Sequence, residues 1–320
     1  MTAVERASAA AFAPGHVTGF FEIHDQDPDP LKRGSRGAGF SLSQGAVTYV
    51  EIEPADSLDV RIAINKEETD APVTREALIT LLKEAVRDGR LPLNKDAPKG
   101  SKAKIRVRAW TDLHLPVSQG FGMSAAGALS AALALAKCLR MGRSSALAAA
   151  HAADVTQRGG LGDVVGASVG GFEIRTSPGI PPFGSTRAFV GYGDAVVCIV
   201  GGPLSTKAVL ADPQRRAAIN AAGSKGVAEL LKAPTLDNFL AHSQAFAREA
   251  QLLTPELERA IEAARPHGKA SMSMLGHSLF AFGNVPRLVD ALEPFGETRV
   301  VPVSEAPARL VEVQRAGSSP

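Results

Sequence analysis

The chain has 320 residues, 45% hydrophobic and 21% charged, the balance of a soluble globular protein. At roughly 100–200 residues per domain it is long enough for two, and 35 basic residues against 33 acidic ones leave a net charge of +2, which argues against a general nucleic-acid binder. The longest apolar run, residues 125–135, is shorter than the roughly 18–20 residues of a membrane span, and Glu5 and Arg6 are followed by no secretory apolar segment. A cytoplasmic protein without a membrane partner is expected, and Cys138 and Cys198, each in an apolar context, read as its buried, reduced thiols.

Strands are expected over residues 7–12 and 17–24, separated by the turn Ala13-Pro14-Gly15-His16. Residues 25–39 are rich in Pro, Gly and both signs of charge, which is loop chemistry: a solvated connector, or a loop presenting cations to an anion. Strands follow over 46–53 and 58–65, then a helix over 74–88, with Thr74 as cap, Gly89 as stop and Leu78, Leu81, Leu82, Ala85 and Val86 as the buried stripe. Residues 104–110 alternate basic with apolar side chains, as a strand with one wet face does, and Lys95, Lys99 and Lys102 extend its basic patch.

Next comes Pro116-Val117-Ser118-Gln119-Gly120-Phe121-Gly122-Met123-Ser124-Ala125-Ala126-Gly127, a glycine-rich turn that becomes the first turn of an apolar, alanine-rich helix. Glycines let the backbone curve, small residues keep side chains away, and the first helical amides have no internal acceptor, so the stretch suits an anion and phosphate above all. A second helix, capped by Ser144 or Ser145 and running to about Gln157, carries His151 and Asp154 before Gly159-Gly160-Leu161-Gly162 breaks it. A strand is expected at Phe172-Glu173-Ile174-Arg175, and residues 176–185 form the strongest domain boundary. Beyond it the pattern predicts strands over 195–200, within 274–283 and over 298–303, helices over 213–223, 235–252, 255–264 and 286–292, one more strand over 309–313 and a loose tail. Mixed strands and helices argue for an α+β protein.

Asp163 follows the glycine break and precedes Gly170-Gly171 by seven and eight residues, where a turn-forming Asp is the plain reading of the residues alone. Asp154 lies in the last turn of its helix, where an anion is disfavoured without a nearby cation; Arg158, four residues on, can supply one through an i,i+4 pair. Ser124 can cap its helix or meet a phosphate or a metal. His151 reads as helix packing or a surface residue, and His277 has no assigned part.

Ala13-Pro14-Gly15-His16, residues 116–127 and Gly268-Lys269-Ala270-Ser271-Met272-Ser273-Met274-Leu275-Gly276-His277 resemble, in order, the three signatures of the GHMP small-molecule kinases. Within that superfamily, His16-Val17-Thr18-Gly19-Phe20-Phe21, Lys32-Arg33-Gly34-Ser35-Arg36-Gly37-Ala38-Gly39 and Gly160-Leu161-Gly162-Asp163-Val164-Val165 look like archaeal-type pantoate kinase. The resemblance implies an α+β, two-domain GHMP kinase fold: a ribosomal-protein-S5-like domain over residues 7–178, a ferredoxin-like α/β domain over 186–313 and a flexible tail over 314–320. It implies ATP and Mg2+ as cofactors, pantoate as the small-molecule substrate, 4-phosphopantoate as product and a place in coenzyme A biosynthesis, with a homodimer as an open option. Homoserine or mevalonate phosphorylation, and a non-catalytic nucleotide-binding regulator, are the alternatives.

Residue by residue, the resemblance makes Pro116, Gly120, Phe121, Gly122, Met123, Ser124, Ala125 and Ala126 the nucleotide-binding loop, and Ser124 and Asp154 the metal ligands. The family has Glu where Asp154 stands, so ligation through water is an option for the shorter side chain. Asp163, Ser124 and Arg175 become catalytic, Arg175 through the transferring phosphate or the substrate carboxylate. His16, His24, Arg33, Arg36, Arg175 and Gly276 are the substrate-binding candidates. His16 stands where many GHMP kinases have Lys, so lysine-assisted activation of the hydroxyl does not carry over.

Overall fold

The computed structural model describes residues 5–91, 103–204 and 206–312; Lys95, Lys99, Lys102 and the tail over 314–320 lie outside them. In chain order the first part contains β1 (Ala7–His24), β2 (Gly34–Pro54), β3 (Asp59–Ile64), β4 (Glu67–Glu68), α1 (Pro72–Arg87), β5 (Ile105–Leu113), α2 (Met123–Cys138), α3 (Arg143–Gln157), α4 (Asp163–Val169), β6 (Phe172–Ser177) and β7 (Ser185–Phe189). The second part contains β8 (Asp194–Ile199), α5 (Thr206–Ala211), α6 (Pro213–Lys232), α7 (Leu236–Glu249), α8 (Pro255–Ala264), β9 (Gly268–Met272), β10 (Ser278–Gly283), α9 (Val285–Leu292), β11 (Glu297–Pro302) and β12 (Arg309–Val311). This is the expected α+β architecture.

Two sheets organise it. The first runs β12-β1-β2-β5-β3-β4, and the long β2 also pairs with β6, which pairs with β7. Only β3 and β5 are parallel within it. The second sheet is antiparallel, in the order β11-β8-β10-β9. Helix α2 packs on β1 and β2 with α1 and α3 against it, α6 and α7 pack on β1, and α8 and α9 cover the second sheet. Among the described residues no helix is long and apolar enough to cross a membrane. Both cysteines are free, Cys198 buried and Cys138 partly so.

The backbone departs from the expected elements in informative places. Ala13-Pro14-Gly15-His16, expected as a turn, lies inside β1; the strand absorbs Pro14 through an irregularity at Pro14/Gly15, and a second follows at Thr18/Phe20. Residues 34–39, expected as loop, begin β2, because their small side chains let the strand lie against β1. Helix α6 runs to Lys232 instead of stopping near Gly223: a Cβ there would come within 1.9 Å of the Phe21 carbonyl oxygen, so the glycine serves close helix-strand packing and not termination. The strand β9 and the short α5 had no clear sequence signal. The expected division at 178/186 also differs from the pairing, since β7 and β12 both join the first sheet.

The two sheets meet through phenylalanines. Phe40 of β2 lies 5.3 Å, centroid to centroid, from Phe172 of β6 and from Phe280 and Phe282 of β10, and Phe239 of α7 stacks on Phe280 at 5.9 Å. Phe239 is fully buried at the centre of this cluster. Replacing it with Ala should lower the unfolding free energy by about 3–5 kcal/mol, read as a fall in the urea midpoint; a change below about 1 kcal/mol would contradict the cluster's role in joining the sheets.

Candidate functional site

The turn after β5 delivers the chain to α2 with a geometry only glycine tolerates. Gly120 and Gly122 have φ of 78° and 61°, and a Cβ on Gly120 would come within 2.4 Å of the Ser273 carbonyl oxygen. The segment after β9 closes on this turn. Gln119 bridges to Gly276, whose own Cβ would meet the Gln119 backbone at 2.1 Å; Ser278 Oγ donates to the Gln119 carbonyl, and Leu204 N–H donates to Ser118 O at 3.1 Å. No side chain caps α2, so its first amides are free of a competing acceptor. Ser124 is the exposed residue of an otherwise buried first turn.

Behind this turn lies a buried ionic relay. His16 N–H donates to the Phe121 carbonyl at 2.9 Å, tying β1 to the loop. The His16 ring is enclosed: Nδ1 lies 2.9 Å from Asp163 Oδ1 and Nε2 3.1 Å from Glu173 Oε1. Glu173 Oε1 also accepts from Arg175, whose other nitrogens donate to Thr18 Oγ1 at 3.2 Å and Ser35 Oγ at 3.3 Å. Burial alone would push the His16 pKa down, but the charge of Glu173 and the hydrogen bonds to both carboxylates raise it to about 9. Each of the two basic side chains thus meets a carboxylate, Arg175 meeting Glu173 and His16 meeting both Glu173 and Asp163.

Asp154 is the exception. It is fully buried at the end of α3, and burial, with the negative charge of Asp163 added, pushes its carboxyl up to about 8 against the Gly160 N–H that holds it down. Its Oδ1 has no hydrogen-bond partner. A Cβ on Gly160 would lie 2.8 Å from Asp163 Oδ2 and 2.9 Å from Asp154 Oδ2, so the two carboxylates border the same point of the chain.

Asp163, at the start of α4 and partly exposed, separates two cavities. One, of about 240 Å³, is lined by Ser118, Gly120, Gly122, Met123, Ser124, Ala125, Asp154, Arg158 and Asp163. The other, of about 40 Å³, lies toward Thr18, Phe21, Ser35, Leu161 and Leu210, and both share Gly159, Asp163, Met274 and Leu275. One is therefore lined by the glycine-rich turn with two carboxylates and a guanidinium; the other joins apolar side chains to two hydroxyls.

The structure brings Ser124, Asp154, Asp163 and the Gly120, Gly122, Met123 and Ala125 positions to one cleft. Phe121 and Ala126 are buried in the core, and Pro116 lies at the start of the turn outside the lining. His16 and Arg175 line neither of these two cavities: each is fully enclosed and engaged by buried partners. Gly276 packs on the loop backbone. His24 and Arg36 both lie against Glu22, at 3.4 and 2.9 Å, while Arg33 folds back onto the carbonyls of Asp27 and Pro28, so none of the three lines either cavity. His151 is helix packing with a purpose: Nε2 binds the Arg33 carbonyl at 2.9 Å and anchors that loop.

Sequence reasoning missed Glu173, Thr18 and Ser35. A Glu and an Arg two apart in a strand share one face, and that spacing in Phe172-Glu173-Ile174-Arg175 was the available signal for an internal pair. Arg158 was the plainer of two partners for Asp154, beside a metal. The left-handed cap at Arg158, φ 57°, ends α3, and Arg158 stands exposed on the cleft wall without an ion pair to Asp154 among the described residues.

No family model matches the chain. A pantoate kinase of Thermococcus kodakarensis is 38% identical over 280 residues, 85% of this chain and 86% of the relative. A solved structure described as a phosphotransferase related to the CoA biosynthesis pathway superposes with a TM-score of 0.82 at 30% identity, covering 97% of this chain and all of the other. A homoserine kinase of Cytophaga hutchinsonii shares the fold, with a TM-score of 0.64 at 16% identity over 97% of this chain and 99% of that one.

Because the folded pKa of Asp154 is raised above that of an unfolded carboxyl, its contribution to stability is intact in acid and is lost as pH rises toward about 8. In the ligand-free protein Asp154→Asn should therefore raise the melting temperature, by a margin that widens from about pH 5 to about pH 8. Thermal melts of both forms across that range would contradict the buried, unpaired carboxylate if the margin were constant or reversed.

Proposed function

This chain belongs to the pantoate kinase family of the GHMP kinase superfamily, and from that premise we propose that its cleft transfers the γ-phosphoryl group of ATP to the hydroxyl of pantoate, giving 4-phosphopantoate for coenzyme A biosynthesis. The observation that carries this reading is the position of Asp163, a carboxylate that lines both the cavity at the glycine-rich turn and the smaller adjoining one with apolar and hydroxyl side chains.

The turn over residues 120–125 and the free amides of α2 cradle the phosphates, and Arg158 on the cleft wall adds a guanidinium for the same oxygens. Ser124 and Asp154 would hold Mg2+. The unpartnered Asp154 Oδ1, on the cavity that holds Ser124 and the turn, fits a cation, and Mg2+ takes one or two carboxylates together with phosphates and water. Mg2+ bound there would neutralise charge on the phosphates. On the other side, Phe21, Leu161 and Leu210 offer apolar contact for the geminal methyl groups, and Thr18 and Ser35, with hydroxyls held by Arg175, offer polar contact for the carboxylate end.

Phosphoryl transfer depends chiefly on positioning and charge. The acceptor oxygen forms its bond to the γ-phosphorus as the bond to the ADP oxygen breaks, and the hydroxyl proton passes to Asp163. The partly exposed carboxylate has the reach this requires, since its Oδ1 is occupied by His16 and Oδ2 is not.

ADP release should be fastest with pantoate among pantoate, homoserine, mevalonate and shikimate. Asp163→Asn should cut kcat by roughly 10²–10⁴-fold with pantoate binding retained. Absence of turnover with pantoate overturns the substrate, and an unchanged kcat in the variant overturns the role of Asp163.

A further inference from the structure

His16 contributes to neither cavity, yet its ring is the most constrained polar group near Asp163. A Cβ on Gly166 would come within 2.3 Å of the ring and one on Gly39 within 2.6 Å, so α4 and β2 close on it from two sides with no room to turn. Its backbone is fixed to the phosphate-binding turn through Phe121, and its two nitrogens reach carboxylates on two further elements, Asp163 on α4 and Glu173 on β6.

We propose that His16 is a positioning residue for the transfer step: it grips Asp163 by Oδ1, leaving Oδ2 turned toward the acceptor hydroxyl, while Glu173 and Arg175 fix the ring from behind. The inference rests on the reading of Asp163 as the base. Ionised carboxylates only accept hydrogen bonds, so a ring that bonds to one at each nitrogen carries a proton on both. The groups facing this assembly are Asp163 and Glu173 on the ring itself, Arg175 behind Glu173, and Asp154 beside Asp163. The raised pKa of His16 accords with a doubly protonated ring. Without the grip on Oδ1 the Asp163 side chain is free to rotate about χ1 and χ2, and the fraction of time Oδ2 faces the substrate falls. Misplacement of a reacting group on this scale costs turnover more than binding.

Two substitutions separate this from mere packing. In His16→Asn the amide nitrogen falls close to the Nδ1 position and can still donate to Asp163, but it leaves space and loses Glu173. In His16→Gln the longer side chain fills more of the space and can reach Glu173, but it loses Asp163. Positioning predicts that Asn keeps the higher kcat, by roughly tenfold or more, with KM for ATP and pantoate changed less than about threefold in both. Gln equal to or better than Asn overturns the proposal, since packing alone favours the larger side chain. A large loss in Asp163→Asn together with that order removes only the positioning role, whereas undiminished turnover in Asp163→Asn removes the base reading and this inference with it.

Should both His16 variants fail to fold, nitrogen-15 NMR of histidine-labelled wild-type protein decides. One ring should show protons on both nitrogens near neutral pH, and its Nδ1 signal should move in Asp163→Asn. A singly protonated ring, or an Nδ1 signal indifferent to Asp163, overturns the proposal.

Discussion

The site depends on a balance of buried charge. Arg175, Glu173, His16 and Asp163 run as an alternating chain of cation and anion from the core to the cleft, each within hydrogen-bonding distance of the next. Any one of them alone in that interior would carry a desolvation cost of several kcal/mol. Together they compensate, and the compensated chain ends on the one member that meets the cleft. Asp154 stands outside that chain, buried with its Oδ1 unpartnered, which is why the proposed reading places a cation there.

Small residues make that arrangement possible. Gly120 and Gly276 allow the turn before α2 and the segment after β9 to touch backbone to backbone, which joins the first sheet to the second at the cleft. Gly39 and Gly166 leave space for one imidazole, and Gly160 keeps a side chain from coming between the two carboxylates. The aromatic cluster around Phe40 and Phe239 holds the sheets that carry these elements. The fold thus supplies rigidity through large rings at a distance and close approach through glycine at the site.

What was readable in the sequence follows from how local each constraint is. Residues 116–127 announce a tight turn into a helix because glycines and a small-residue helix start are local chemistry, and Asp163 stands out because it follows a glycine break; that it begins a helix is seen only in the structure. Thr235, Thr254 and Pro255 likewise mark their helices where the structure has them. Pro14 misleads, because pairing with β2 across an irregularity outweighs the local preference for a turn. His16 and Arg175 look like substrate contacts from their residue types and motif positions, but the partners of His16, Asp163 and Glu173, lie well over a hundred residues away in the chain, as do Thr18 and Ser35 for Arg175, whose third partner, Glu173, is two residues away. Burial of that kind is set by tertiary pairing, which no local pattern reports.

The central claim is that Asp163 sits between the two substrates with one oxygen held by His16 and the other free for chemistry. A crystal structure with a non-hydrolysable ATP analogue and pantoate tests it most directly. The account predicts the acceptor hydroxyl of pantoate at about 2.6–3.2 Å from Asp163 Oδ2, with His16 still on Oδ1 and the γ-phosphate over the turn at residues 120–125. Pantoate bound away from Asp163, or an Asp163 that has left His16 to reach it, would contradict the account.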